Sequence, residues 1–194
     1  MKIKILIPLY NDWQSLIKLL ENINSQVDNK NIIFSILVIN DGSIERIPQK
    51  FPDYPNFNSI KIMNLKNNIG HARCIATGLR YIMENDEFDY VIPMDSDGED
   101  RPEEIKDLTQ KIETNLELPV VCERIKRSEG MLFKLCYFLH KLITKTFTGK
   151  SIRFGNFTCL PKIIIKKMTE EKATWSSFSG ALSKISKDKI AVSS

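Results

Sequence analysis

The sequence predicts an α/β domain built on a mainly parallel, twisted sheet flanked by helices. Two apolar runs, Ile3–Leu9 and Ile32–Ile39, carry only Lys4 and Ser35 as polar interruptions. Strands buried on both faces of a parallel sheet have this continuous character, whereas half-exposed strands alternate. Between the two runs, Trp13, Leu16, Ile17, Leu19, Leu20 and Ile23 recur at helical spacing. Strand-like and helix-like segments then keep alternating to about Cys122, a βαβαβαβ order that folds as parallel strands joined by crossover helices.

Each element has its own signal. The first helix spans Asp12 to Gln26, with Asn11 or Asp12 as its cap. Ile60–Leu65 is the third strand, and Pro48–Ser59 before it is a surface loop rich in Pro and Asn. A helix starts at Asn68 or Gly70 and runs to about Glu84, with Ala72, Ile75, Ala76, Leu79 and Ile82 on one face. Tyr90–Met94 is the fourth strand. The helix Pro102–Thr114 has proline and two glutamates in its first turn, where the missing N–H costs nothing and the helix dipole favours negative charge. Pro119–Cys122 is a short fifth strand. The pattern then changes: Met131–Phe147 is a long amphipathic helix, Ile152–Leu160 a strand or hairpin, and Pro161–Met168 and roughly Trp175–Ile185 are helices. This gives a helical C-terminal part. With 194 residues, 42% of them hydrophobic, the chain can build one domain around a substantial core.

Composition excludes several classes. No apolar run approaches the roughly 20 residues needed to cross a bilayer. The opening MKIKILIPLYND turns polar too soon for a secretory signal, so the expectation is a cytoplasmic protein, soluble or peripheral at the inner face of a membrane. The four cysteines, Cys74, Cys122, Cys136 and Cys159, form no CxxC pair and lie in apolar runs. That suits small buried side chains in a reducing compartment. Only two histidines, His71 and His140, are present, too few for a histidine-based metal centre. Charge is segregated. Residues 84–104 hold ten carboxylates against one cation, Arg101, while fifteen Lys/Arg face five acids from Cys122 onward. An acidic loop opposite a basic half suits a bound cation and an anionic partner. The basic half carries no nucleic-acid-binding motif.

In an open parallel sheet, ligands bind beyond the carboxyl ends of the strands. The four successive strand ends read Pro8-Leu9-Tyr10-Asn11-Asp12, Asn40-Asp41-Gly42-Ser43, Asn67-Asn68-Ile69-Gly70-His71-Ala72-Arg73 and Asp95-Ser96-Asp97-Gly98-Glu99-Asp100. All four are polar or acidic and would line one edge. Asp95 and Asp97, one residue apart in a turn, can both reach one divalent cation, and hard oxygen donors favour Mg²⁺ or Mn²⁺. No GxGxxG is present. Thr148-Gly149-Lys150-Ser151 matches only the tail of a phosphate loop, with Thr144 where its leading glycine belongs.

This ordered set of strand ends resembles family 2 glycosyltransferases of the GT-A fold, over Ile3 to about Glu104. The run Asp95–Glu104 is similar to the polyprenyl-phosphate sugar transferase branch, as is the basic pair in Glu123-Arg124-Ile125-Lys126-Arg127. The resemblance implies a nucleotide-binding half, 1–104, and an acceptor-side half, 105–194. It implies that Pro8, Tyr10 and Asp12 shape the base pocket and that Asp41 holds base or ribose. Gly70 allows close backbone approach, with Arg73 near the nucleotide. Asp95 contacts ribose or metal, Asp97 is the main metal ligand, and Arg124 and Arg127 grip phosphate. The implied activity is inverting, metal-dependent transfer from a nucleotide-diphospho-sugar, UDP-linked in preference to GDP-linked. The implied acceptor is a glycan hydroxyl or a polyprenyl phosphate in cell-envelope polysaccharide synthesis.

Departures from the pattern leave alternatives open. A hydroxyl acceptor needs a base, and the late acids Glu170 and Glu171 do not align with one. Glu99 and Asp100 lie near the metal or serve only to shape the loop. Phe154-Gly155-Asn156-Phe157-Thr158 lacks the acid and Phe-Arg pair of the polyprenyl branch. The domain in this family normally runs longer than 194 residues. A degenerate nucleotide-sugar-binding protein is one alternative. A sugar nucleotidyltransferase is another, although its glycine-rich basic loop is missing after the first strand. The apolar face of residues 131–147 suits packing against the sheet, and its basic flank suits an anionic membrane surface.

Overall fold

The computed structural model describes residues 1–28, 30–114, 116–123 and 154–193. Seven strands form one sheet in the order β3-β2-β1-β4-β6-β5-β7. They are β1 (Lys2–Leu9), β2 (Ile33–Asn40), β3 (Phe57–Asn64), β4 (Tyr90–Pro93), β5 (Val120–Glu123), β6 (Phe154–Pro161) and β7 (Ile190–Ser193). β1 pairs in parallel with both β2 and β4, and β2 with β3. β6 runs antiparallel to its neighbours β4 and β5, and β7 pairs in parallel with β5. The helices are α1 (Trp13–Gln26), α2 (His71–Asn85), α3 (Glu104–Thr114), α4 (Lys162–Glu170) and α5 (Phe178–Ile185), with a 3₁₀ turn at Lys172–Trp175.

The uninterrupted apolar runs have a direct cause: each strand buries both faces. On β1, Ile3, Ile5 and Ile7 join the core beneath α1 and α3, with Leu16, Leu20, Ile105 and Leu108. Leu6 joins the opposite core, with Ile75 and Leu79 of α2, Ile165 of α4 and Leu182 of α5. The result is a three-layer sandwich whose central strands are covered on both sides. Cys74, Cys122 and Cys159 are buried and unpaired, as expected, and burial pushes all three thiols up. Cys136 lies outside the described residues.

Three expectations need correction. No helix separates β2 from β3; residues 41–56 make that parallel crossover as an irregular segment. That segment is not wholly a surface loop. Tyr54 and Phe57 are buried and pack together, ring centroids 5.6 Å apart and planes tilted by 38°, and β3 begins at Phe57. The helix expected from Trp175 is broken by the 3₁₀ turn, and α5 begins only at Phe178, where Ser177 accepts from Gly180 N. β6 answers to the strand or hairpin expected over Ile152–Leu160, and β7 adds a further strand beside β5. Among the described residues no helix is long and apolar enough to cross a membrane. The expected helix 131–147 lies outside the described residues, as do Thr148–Ser151.

Candidate functional site

Because β1, β2, β3 and β4 are parallel, their carboxyl ends share one edge of the sheet. A cleft of about 400 Å³ opens there. The end of β1 contributes Pro8 and Leu9, with Tyr10 just beyond it; the turn after β2 contributes Asp41; the segment entering α2 contributes Asn68 and Gly70, and α2 itself His71 and Cys74; the turn after β4 contributes Asp95, Ser96 and Asp97. Tyr10 is half exposed on one lip, and Asp41 is buried at the floor.

Asp41 is fully engaged with backbone. One carboxylate oxygen accepts from Ile69 N at 2.8 Å and the other from Gly70 N at 3.0 Å. The segment leading into α2 is thereby clamped to the end of β2. Gly42 makes the clamp sterically feasible. It has φ +69°, and a Cβ there would lie 2.6 Å from the backbone of Asn67 and Asn68.

The acidic turn is held from three sides. Asp95 N donates to Asp100 Oδ2 at 2.8 Å, so the buried Asp100 shapes the loop. Glu99 N donates to Asp97 Oδ1 at 2.8 Å, an Asx turn that leaves the Asp97 carboxylate exposed. His71 Nε2 sits 2.8 Å from Asp95 Oδ1. That hydrogen bond holds the imidazole above its ordinary pKa, helped by the negative charges of Asp95, Asp97 and Asp100 and opposed by burial. β6 reaches the same place: Asn156 Nδ2 lies 3.5 Å from Asp95 Oδ1, a long contact. His71 and Asn156 carry no expected role from sequence. The only sequence signal was that His71 opens the helix after a polar strand end, and its pairing with Asp95 spans 24 positions.

The donor set suits a hard divalent cation only in part. Among the described residues no group of three or more His, Cys, Asp or Glu side chains could hold a metal. Asp95 and Asp97 alone supply carboxylate oxygens, so an ion here needs ligand phosphates and water to complete its shell, as Mg²⁺ commonly does. Cys74 offers no soft donor. Burial pushes its thiol up to about 12, and its Sγ points to Ile39 O at 3.5 Å.

Two expected contributors fall outside the cleft. Asp12 caps α1, its Oδ1 accepting from Ser15 N at 3.0 Å, and Arg73 is exposed on the first turn of α2. Neither lines the cleft. Arg124 and Arg127 lie outside the described residues. Glu170 and Glu171 line a separate groove with Arg80 and Trp175. Glu171 is bound to Lys184 at 2.7 Å and caps the 3₁₀ turn through Ala173 N, and both bonds hold its carboxyl below the usual range.

A mainly parallel sheet with acidic strand ends converging on one cleft defines an α/β domain with a candidate ligand site at that edge. The profile of the family described as "Glycosyl transferase family 2" matches residues 4–161, and the chain belongs to that family. An uncharacterized glycosyltransferase of Synechocystis sp. is 30% identical over 129 residues, covering 66% of this chain and 39% of that protein. The undecaprenyl-phosphate 4-deoxy-4-formamido-L-arabinose transferase of Salmonella choleraesuis is 26% identical over 162 residues, covering 82% of this chain and 47% of that protein. The chain thus spans less than half the length of these curated relatives. Among solved structures, residues 1–349 of TarS from S. aureus align over 99% of this chain and 58% of that one, with TM-score 0.63 and 17% identity. The same protein in complex with UDP-GlcNAc aligns over 86% of this chain and 47% of that one, with TM-score 0.56 and 18% identity. These likenesses establish the GT-A fold.

Proposed function

We propose that this chain carries the donor-binding part of a glycosyltransferase that moves a sugar from a UDP-sugar, in preference to a GDP-sugar, with inversion at the anomeric carbon. One observation carries the reading. Asp95 and Asp97 share a cleft with Pro8, Tyr10, Asp41 and Gly70, all at the carboxyl ends of parallel strands. Pro8 and Tyr10 wall the base, Asp41 and Gly70 form the floor, and Asp95 and Asp97 would hold Mg²⁺ or Mn²⁺ beside the diphosphate. A bound ion there would neutralise charge on the departing nucleoside diphosphate.

Transfer forms a bond from an acceptor oxygen to the anomeric carbon and breaks the bond to the β-phosphate oxygen, which leaves with the electron pair. Arg124 and Arg127 are proposed to grip that diphosphate, since a guanidinium fork matches phosphate oxygens. A hydroxyl acceptor must lose a proton to a base, whereas a lipid phosphate is already ionised. The engagement of Glu171 with Lys184 and Ala173, in a groove apart from the cleft, counts against Glu171 as that base. The acceptor proposed is a polyprenyl phosphate rather than a glycan hydroxyl, although Phe154–Thr158 lacks the acid and Phe-Arg pair of the polyprenyl branch. The named activity of the Salmonella relative supports that choice, and with it cell-envelope polysaccharide synthesis. Such an acceptor places the chain at the cytoplasmic face of a membrane, with residues 131–147 as the contact.

Calorimetric titration of UDP and GDP, each with and without Mn²⁺, tests this. Manganese-dependent binding of UDP is expected. Binding of GDP alone would reverse the donor assignment, and binding of neither would overturn the reading of the cleft.

A further inference from the structure

We propose that Asn11 is a positioning residue that sets the spacing between the two walls of the nucleotide pocket. It fastens the end of β1, which carries Tyr10, to the turn after β2, which carries Asp41. The inference rests on the cleft being a nucleotide site and goes beyond it, because Asn11 does not itself line the cleft.

Among the described residues Asn11 is the one non-glycine with positive φ, at +58°. A side chain in left-handed conformation costs about 1–2 kcal/mol, least for Asn and Asp. In that conformation Asn11 makes three bonds across to the neighbouring turn. Its N donates to Ser43 Oγ at 2.8 Å, and its Oδ1 accepts from Ile44 N at 2.8 Å and from Glu45 N at 3.3 Å. The latch continues inward. Ser43 N donates to Asn40 Oδ1 at 3.1 Å, Asn40 Nδ2 donates to Asn64 Oδ1 at 2.8 Å, and Asp41 clamps Ile69 and Gly70. Side-chain bonds therefore tie the ends of β1, β2 and β3 and the start of α2 together. Tyr10 needs this most. The residue is 48% exposed, so its placement depends on the backbone beneath it. Asp12 fixes the far side of the same turn by capping α1.

Three variants separate the latch from simple backbone strain. Asn11→Gly keeps the left-handed conformation and loses the acceptor. Asn11→Asp keeps an acceptor oxygen and tolerates the conformation. Ser43→Ala removes the third bond of the latch, the acceptor of Asn11 N, and leaves both Oδ1 bonds in place. The readouts are the Kd for UDP with Mn²⁺, and hydrogen exchange at the Ile44 and Glu45 amides in the ligand-free chain. For Asn11→Gly the expectation is UDP binding about tenfold weaker, equivalent to one charge-free hydrogen-bond network lost, with faster exchange at both amides. Ser43→Ala weakens UDP in the same direction, and Asn11→Asp restores most of the affinity. A purely structural role would lower the melting temperature and leave the affinity of the folded chain unchanged. UDP affinity in Asn11→Gly equal to that of the unsubstituted chain, or Asn11→Asp no better than Asn11→Gly, overturns the proposal alone. Should Asn11→Gly fail to fold, unchanged affinity in Ser43→Ala overturns it. An unsubstituted chain that binds neither UDP nor GDP overturns the nucleotide reading and this proposal with it.

Discussion

His71 Nε2 and Asp95 Oδ1 lie 2.8 Å apart, so the first residue of α2 and the first carboxylate after β4 face each other across the cleft. A cation at a helix N-terminus is disfavoured by the helix dipole. Here Asp95, backed by Asp97 and Asp100, outweighs that and holds the imidazole pKa up. A raised folded-state pKa stabilises the protein fully below the ordinary histidine value, and the contribution is lost as pH rises through the folded value. The His71 side chain is half exposed, so solvent screening limits the effect to about 0.5 kcal/mol. Thermal melting of the metal-free chain and of His71→Gln, from about pH 5 to about pH 9, should show an advantage for histidine at low pH that fades at high pH. A gap of constant size would remove the ion pair.

Asp97 is exposed and makes one local bond, to Glu99 N. Its removal should therefore spare the fold. Asp97→Ala is expected to abolish the Mn²⁺ dependence of UDP binding while shifting the melting temperature by no more than about 2 °C, as befits an exposed site. Calorimetry and a melting curve on one preparation check both halves. Unchanged Mn²⁺-dependent affinity would take the metal away from Asp97.

Asp41→Asn tests the clamp between β2 and α2. The carboxylate accepts from Ile69 N and Gly70 N with separate oxygens. An amide has one acceptor oxygen, so one N–H would meet an NH₂ group in a buried setting. Leaving such a donor unsatisfied costs about 1–3 kcal/mol. A lowered urea midpoint at unchanged m-value is expected. An unchanged midpoint would mean that the clamp contributes nothing.

The parallel half of the fold was legible because its cause is local. Ile3–Leu9 and Ile32–Ile39 are apolar without alternation because helices cover both faces, and that requirement is written along each strand. The insertion of β6 between β4 and β5 was not legible. Strand order depends on pairing between distant segments, and periodicity does not carry it. Tyr54 and Phe57 show the same limit in small, since nothing in a Pro- and Asn-rich stretch says which aromatic turns inward. At the site, the strand-end rule brought Pro8, Tyr10, Asp41, Gly70, Asp95 and Asp97 to one cleft. Asp12 and Arg73 do not line that cleft, because proximity in sequence to a strand end does not fix direction. Asp12 spends its carboxylate on the α1 cap, and Arg73 is exposed on the first turn of α2.

Glycine substitutions separate backbone conformation from close approach. Gly42 and Gly98 both have positive φ, +69° and +80°. A Cβ at Gly98 would meet nothing within 4 Å, whereas at Gly42 it would lie 2.6 Å from Asn67 C and from Asn68 N. Gly98→Ala should therefore cost only the conformational term, about 1–2 kcal/mol. Gly42→Ala adds a clash with backbone, which cannot rotate away as a side-chain tip can. Residues 67–68 must move, and Ile69 and Gly70, bonded to Asp41, move with them. The expected cost exceeds about 3 kcal/mol, in the range reserved for named severe mechanisms, and UDP binding should weaken in whatever fraction stays folded. Urea denaturation of the two variants side by side decides it. Equal losses would show that the close approach of the two loops is relaxed in solution, and that conformation alone selects glycine at both turns.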